Sequence, residues 1–233
     1  SHFPSNAVDY LKSKKDIEDL SKELERKKTI DSYIDLAIQK LNLNTCPLTN
    51  EEDYHFCENP LEKGLEDVLN SIINQPQYIL NCNKSKYTIA IHLPWFPIKT
   101  PITGESGKFE ITDKARTLVF RDDFKLLNFL EDDILTDLDA EGLKYQIHIA
   151  GRETFNHNYL KITSLKIENS DWQLITSPIP AVCEDGITGV LYIFSENCDV
   201  IPKDIENILL IFGRILSNWI SKYEECLANR LNK

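Results

Sequence analysis

The last thirty residues constrain this chain more than any other stretch. They read PKDIENILLIFGRILSNWISKYEECLANRL, from Pro202 to Leu231. Pro202 suits a first helical turn, and Asp204 and Glu206 lie near the positive end of a helix. One apolar stripe runs Leu209, Phe212, Leu216, Trp219, Tyr223, Cys226, and a second runs Ile205, Ile208, Ile211, Ile215. A surface helix needs one apolar face. Two faces over its first half mean that it packs on its own domain and on something else, either the N-terminal helix or a second subunit. The stripe Leu209, Phe212, Leu216, Trp219 and Tyr223 is the expected dimer or helix interface.

What precedes that helix sets the fold class. Residues 9–43 hold neither Gly nor Pro and carry Ile17, Leu20, Leu24, Ile34, Ile38 and Leu41 on a three-four repeat. Lys27 and Asp31 interrupt the seam, so the stretch predicts a short coiled coil or a helix docked at its ends. Residues 1–8 join no pattern and read as an appended remnant. Residues 44–60 are rich in Asn, Thr and Pro and predict a linker. A second helix is expected over 61–74, with Leu61, Leu65, Val68, Leu69, Ile72 and Ile73 on one face.

Strand signals follow. KYTIAIHLPWF alternates until Pro94, which is expected to end the strand. GKFEIT and RTLVF read as a hairpin pair, FKLLNFLEDDILTDL as helix, and LKYQIHIA as an alternating strand. YLKITSLKIE reads as one or two strands. WQLITSPIPAV and ITGVLYIFSE are two strands joined by CEDG, with Gly186 expected to supply a positive φ. The order predicts an α+β domain over 61–233: a mainly antiparallel sheet with helices on one face, preceded by the N-terminal helix.

Composition excludes several function classes. With 37 acidic against 26 basic residues the net charge is −11, which repels a phosphate backbone, so no nucleic-acid partner is expected. No apolar run reaches the ~18–20 residues of a membrane span. Six cysteines at 46, 57, 82, 183, 198 and 226 show no CxxC pair, which fits reduced thiols and a cytoplasmic setting.

Motifs that tempt fail on spacing. TGESGKF (Thr103–Phe109) has Ile102 where a phosphate loop needs its first Gly, and Phe109 where it needs a hydroxyl. DLDAEGLKYQIH (Asp137–His148) ends in His148 where a calcium loop needs a bidentate Glu. Cys46, His55, Cys57 and Cys82 lack the paired spacing of structural zinc, so no metal is expected. No G-x-S-x-G or HExxH motif is present. The enzyme reading rests on a Cys–His centre from Cys183, Cys198, His148 and His157.

The segment from Leu174 to Ile220 resembles the end of a GAF domain. The matching residues are Ser177–Pro180, Gly189–Ser195, Ile201–Asp204 and Leu209–Ile220. PLEKGLEDVLNSII before KYTIAIHLPW is similar to that family's first helix and strand, so the likeness spans roughly residues 55–230. It implies a GAF-like (profilin-like) fold and a non-catalytic regulatory module. In that family a small ligand or chromophore binds on one sheet face, and terminal helices on the other face dimerise. The Asn-Lys-Phe-Asp-Glu signature of cyclic-nucleotide binders is missing. A Cys–His bilin context is missing too, since HFC at His55–Cys57 comes too early.

The expected function is a regulatory domain that binds a small molecule or a partner protein and signals through its terminal helices, as a homodimer. The alternative is a ligand-free scaffold for dimerisation or docking. A pocket would lie on the sheet face away from the terminal helices, with His92, Trp95, His148, Arg152, Trp172 and Tyr192 as candidate contacts. Arg152 would pair with an anionic group and the two indoles would stack on a ring. No cofactor is specified by any of these residues.

Overall fold

A computed structural model describes residues 5–43, 58–80, 86–101, 103–104, 109–130, 133–135, 142–167, 169–182, 185–196 and 201–231. In chain order the elements are α1 (Ser5–Leu43), α2 (Glu58–Asn74), α3 (Pro76–Leu80), β1 (Tyr87–Pro101) and β2 (Phe109–Asp122). There follow α4 (Leu143–His157), β3 (Lys161–Ile167), β4 (Ser170–Pro180), β5 (Ile187–Glu196) and α5 (Ile205–Leu231). The strands make one antiparallel sheet in the order β2-β1-β5-β4-β3. The α+β expectation holds, with an N-terminal helix and helices packed against a five-stranded sheet.

Side-chain alternation divides the core in two. Ile89, Ile91 and Leu93 of β1, Leu191 and Ile193 of β5, and Ile175 and Ile179 of β4 face α2 and α5. Ala90, Val190, Tyr192, Phe194 and Leu174 face the other way. β5 lies at the sheet centre and is buried on both faces from Val190 to Ser195, which is why it reads as an unbroken apolar run. On α2 the positions Leu65, Val68, Leu69, Ile72 and Ile73 are all buried, as their spacing predicts.

α5 meets its two-stripe expectation inside one chain. Leu209, Phe212, Leu216, Trp219 and Tyr223 are buried, and so are Ile205, Ile208 and Ile215; Ile211 is exposed. The five residues expected at a dimer interface therefore line the core, against the sheet and α2, and leave no area for a second chain. α1 supplies the other covering surface, the first of the two expected alternatives. Close approach is set by small residues: a Cβ on Gly64 of α2 would stand 1.9 Å from the Trp219 indole, and one on Gly213 would stand 2.8 Å from the Pro178 carbonyl.

Several expectations are corrected. Helices cover both faces, because α4 packs on the face opposite α2 and α5. α4 itself is the stretch read as a strand: Leu143, Tyr145 and Ile147 alternate, but the buried set Ile147, His148, Ala150, Gly151 and Thr154 follows a helical period through GRETFNH. The described residues of FKLLNFLEDDILTDL, 124–130 and 133–135, do not form a regular helix. They keep Leu126, Leu130 and Ile134 buried but form a 3₁₀ turn at Leu126–Asn128. Side chains hold it there by bonding backbone groups. Asp122 accepts from the Leu126 N–H at 2.7 Å, and Thr88 accepts from the Phe124 N–H at 2.8 Å.

Others concern strand ends. Pro94 does not end β1, which continues to Pro101 as a ribbon with one unbroken β2 rather than the two pieces expected. Pairing to β5 stops at His92↔Val190, and Pro94 falls in an irregularity between Leu93 and Phe96, so its missing N–H breaks no ladder. Gly186 does not take a positive φ; the positive-φ glycines among the described residues are Gly104 and Gly142. The β4–β5 loop is closed instead by the Ala181 N–H donating to the Gly186 carbonyl at 2.9 Å. At the N-terminus α1 already begins at Ser5, inside the stretch read as a remnant, and α2 begins at Glu58, before the expected Leu61. Residues 44–57 lie outside the described residues.

Candidate functional site

The sheet face under α4 is where a ligand site is expected, and three of its six candidates converge there. His92 on β1, Tyr192 on β5 and His148 on α4 are buried side by side beneath the helix. His92 Nδ1 lies 2.8 Å from Thr117 Oγ1. Its Nε2 lies 3.7 Å from Asp133 Oδ1, beyond hydrogen-bond reach. Burial pushes the His92 pKa down to about 4, against the opposing pull of Asp133, because a buried imidazole resists taking charge. The ring is therefore neutral at neutral pH, and its contact with Asp133 is not an ion pair.

Tyr192 is the residue that decides what this face can hold. It is fully buried, its hydroxyl finds no hydrogen-bond partner among the described residues, and burial drives its pKa far up. The cause of the enclosure is Gly151: a Cβ there would stand 1.6 Å from the Tyr192 hydroxyl oxygen. α4 thus sits flush on the sheet at its one side-chain-free position. Next to it Thr154 and Thr176 share a hydrogen bond at 2.6 Å, and Thr176 also donates to the Ala150 carbonyl at 3.3 Å. These bonds tie the helix to β4. Among the described residues, the face under Gly151 is packed shut.

The remaining candidates lie apart from this trio, though Trp172 is buried on the same sheet face. Arg152 is half-buried on α4. Trp172 joins an aromatic core, edge-on to Phe124 at 5.1 Å, while Phe124 stacks on Phe194 at 4.5 Å. Trp95 is 54% exposed, edge-on to Phe155 at 5.6 Å, and lines a cleft of ≈ 540 Å³ beside the β4–β5 loop. Trp172 pairs with Glu196 at one end of the sheet, whereas Trp95 lies past His92 at the other. That separation is more than about 25 Å of strand, so the two indoles cannot sandwich one ring.

A second set of polar contacts joins α1 to the body, and sequence reading missed it. Arg26 forms a two-pronged pair with Asp204, Nη1–Oδ2 at 2.9 Å and Nη2–Oδ1 at 3.0 Å. Its Nε donates to the Tyr78 carbonyl at 2.7 Å in the last turn of α3. The Arg26 hydrogen bonds are the main reason the Asp204 carboxyl sits below its ordinary value, as a two-pronged guanidinium contact favours the charged form. Further along, Lys222 of α5 donates to the Leu41 carbonyl at 2.8 Å, a cation on the last turn of α1. Between these clasps Ile30 and Ala37 are buried. Arg26 and Asp204 are 178 residues apart, so no local pattern could have paired them.

Upstream of Arg26 the same helix is bare. Tyr10, Leu11, Ile17, Leu20 and Leu24 are exposed, Leu20 by 65% and Leu24 by 55%. An open cleft of ≈ 780 Å³ lies at the junction, between Lys22, Arg26, Tyr78, Lys203 and Asp204. Among the described residues no group of His, Cys, Asp and Glu could hold a metal ion, and no helix is long and apolar enough to cross a membrane. The side chains of all six cysteines and His55 lie outside the described residues, so the zinc and Cys–His readings fall there too.

No protein-family model and no curated protein matches this chain.

Proposed function

We propose that this chain is a GAF-like, non-catalytic module that works by association through its helices, as a scaffold or regulatory platform. One observation carries the reading: the free half of α1 presents a row of apolar side chains to solvent, while the sheet face that would receive a small molecule is filled by α4. Of the two versions expected from sequence, the scaffold is the better supported. The GAF-like fold belongs to the same proposal, supported by an antiparallel sheet with the terminal helices together on one face. The stripe of α5 does not serve the association, since it is used within the chain.

The test is a Leu20→Glu/Leu24→Glu variant. Association measured by light scattering is expected to fall, with the unfolding midpoint of the dilute, unassociated chain unchanged because both side chains stand in solvent there. Association that survives the variant, with itself or with a purified partner, refutes the reading. The small-molecule version keeps two supporting observations on that face, the unpartnered Tyr192 hydroxyl and the unpartnered His92 Nε2. A thermal-shift screen addresses it: a ligand present at 100 times its Kd adds about 2.7 kcal/mol of stability. A hit that is lost in Tyr192→Phe would favour that version.

A further inference from the structure

Counting heptads from Tyr10 places Tyr10, Ile17 and Leu24 at a positions and Leu20 at d. All four are exposed, and helix geometry gathers them into one narrow stripe. The Arg26, Ile30 and Ala37 face docks on the body, and the stripe lies roughly 140° round the helix from it. A partner on the stripe therefore leaves the docking undisturbed. The segment also needs one: an isolated helix of about 15 residues is marginal in water, and Tyr10 to Leu24 draws no cover from the body.

The flanking charges identify the partner. Asp16 and Glu23 occupy g positions, and the same count puts Asp9 at the preceding g; Lys14 and Lys28 occupy e positions, with Ser21 between them. In a parallel, in-register pair each g faces the e five residues on in the other helix. Glu23 then meets Lys28 of the second copy, twice by symmetry, and Asp16 faces Ser21 without repulsion. In an antiparallel pair g faces g and e faces e, so acids oppose acids and lysines oppose lysines. The pattern is self-complementary in one orientation only.

We propose that residues 10–28 of α1 form a parallel, in-register coiled coil with the same segment of a second copy of this chain. This rests on the association reading above and names its occupant. The coil ends where Lys27 and Asp31 take the next d and a positions. Lys27 pairs there with Glu23 of its own helix at 3.3 Å, and Arg26 turns to its own body. Under three heptads make a weak dimer, concentration-dependent and sensitive to salt.

Charge exchange in the full chain tests it, read by sedimentation equilibrium. Glu23→Lys alone and Lys28→Glu alone each set like charges opposite in both symmetric pairs. Each is expected to weaken dimerisation roughly tenfold. An equimolar mixture of the two variants restores opposite charges across the coil, and with them the wild-type affinity. Circular dichroism confirms that each variant stays folded. A mixture no tighter than either variant overturns the proposal. A wild-type dimer indifferent to both single changes overturns the coil and leaves association standing through another surface. A wild type that stays monomeric overturns self-pairing, and only a different protein then remains as occupant of the stripe.

Discussion

Gly151→Ala is the change that tests the closed face of the sheet most directly. Two effects of opposite sign compete. In a helix interior alanine is favoured over glycine by about 1 kcal/mol, so a Gly151 with free space around it would gain from the substitution. Here the new Cβ would stand 1.6 Å from the Tyr192 hydroxyl oxygen and 2.6 Å from the ring carbon that carries it. Tyr192 is fully buried on the central strand and has no room to withdraw. Overpacking of this kind costs about 1–3 kcal/mol, and an overlap so deep belongs at the upper end. The net expectation is a loss of about 2 kcal/mol, or roughly 4–8 °C in Tm for a chain of this size.

Tyr192→Phe removes both the nearest atom and a buried hydroxyl that lacks a partner. Leaving such a group unsatisfied costs about 1–3 kcal/mol, so this variant alone is expected to gain about 1 kcal/mol. In the double variant alanine should cost less than it does alone, with a coupling of about 1 kcal/mol in the cycle. Urea unfolding followed by tryptophan fluorescence measures all four proteins. A Gly151→Ala protein as stable as wild type would refute the flush contact. A Tyr192→Phe protein less stable than wild type by about 1 kcal/mol would show that the hydroxyl has a partner, and the small-molecule version would lose that support.

Two further predictions concern pH and the docking of α1. His92 titrates near 4 in the fold against an ordinary 6.5, so between those values the unfolded chain binds a proton that the native one refuses. Stability is full above about pH 6.5 and falls on acidification, by on the order of 3 kcal/mol near pH 4; His92→Gln should flatten that slope in urea titrations, and an unchanged slope would refute the assignment. Arg26→Ala should free the first half of the docked segment, raising amide exchange around residues 26–34 with little change at Leu41. Because the Asp204 pKa is depressed, the clasp's contribution to docking is present above the ordinary carboxylate range and is lost as pH falls through the lowered value. Exchange that is equally fast in wild type at neutral pH would refute the clasp.

How much of this was legible in the sequence depends on where the deciding signal sat. α2, β4, β5 and α5 carry their periods within single stretches, so Leu65 to Ile73 and Leu209 to Tyr223 could be assigned to a buried face directly. α4 failed because a short run of chance alternation ended just before the helical continuation at Gly151 to Thr154. The 3₁₀ turn failed because Asp122 and Thr88, outside the apolar pattern, satisfy backbone groups that a helix would otherwise use. The candidate site divided along the same line. Alternation along β1 and β5 put His92 and Tyr192 on the face away from the terminal helices, as expected, and the structure brings His148 to them from a helix rather than a strand. Nothing local could show that Trp95 and Trp172 stand at opposite ends of the sheet, nor that Arg26 reaches Asp204.

Arg26 stands near the midpoint of a stiff rod. From Tyr10 to Arg26 the helix runs about 24 Å, and from Arg26 to Leu41 about 22 Å. The clasp is thus a fulcrum between two arms of nearly equal length, one loose and one bedded on the sheet's helical layer. A sideways push on the free tip would be countered first at the Arg26–Asp204 clasp and only then passed to the far arm, in the opposite direction. Lys222, gripping the Leu41 carbonyl, is where that leverage would be resisted.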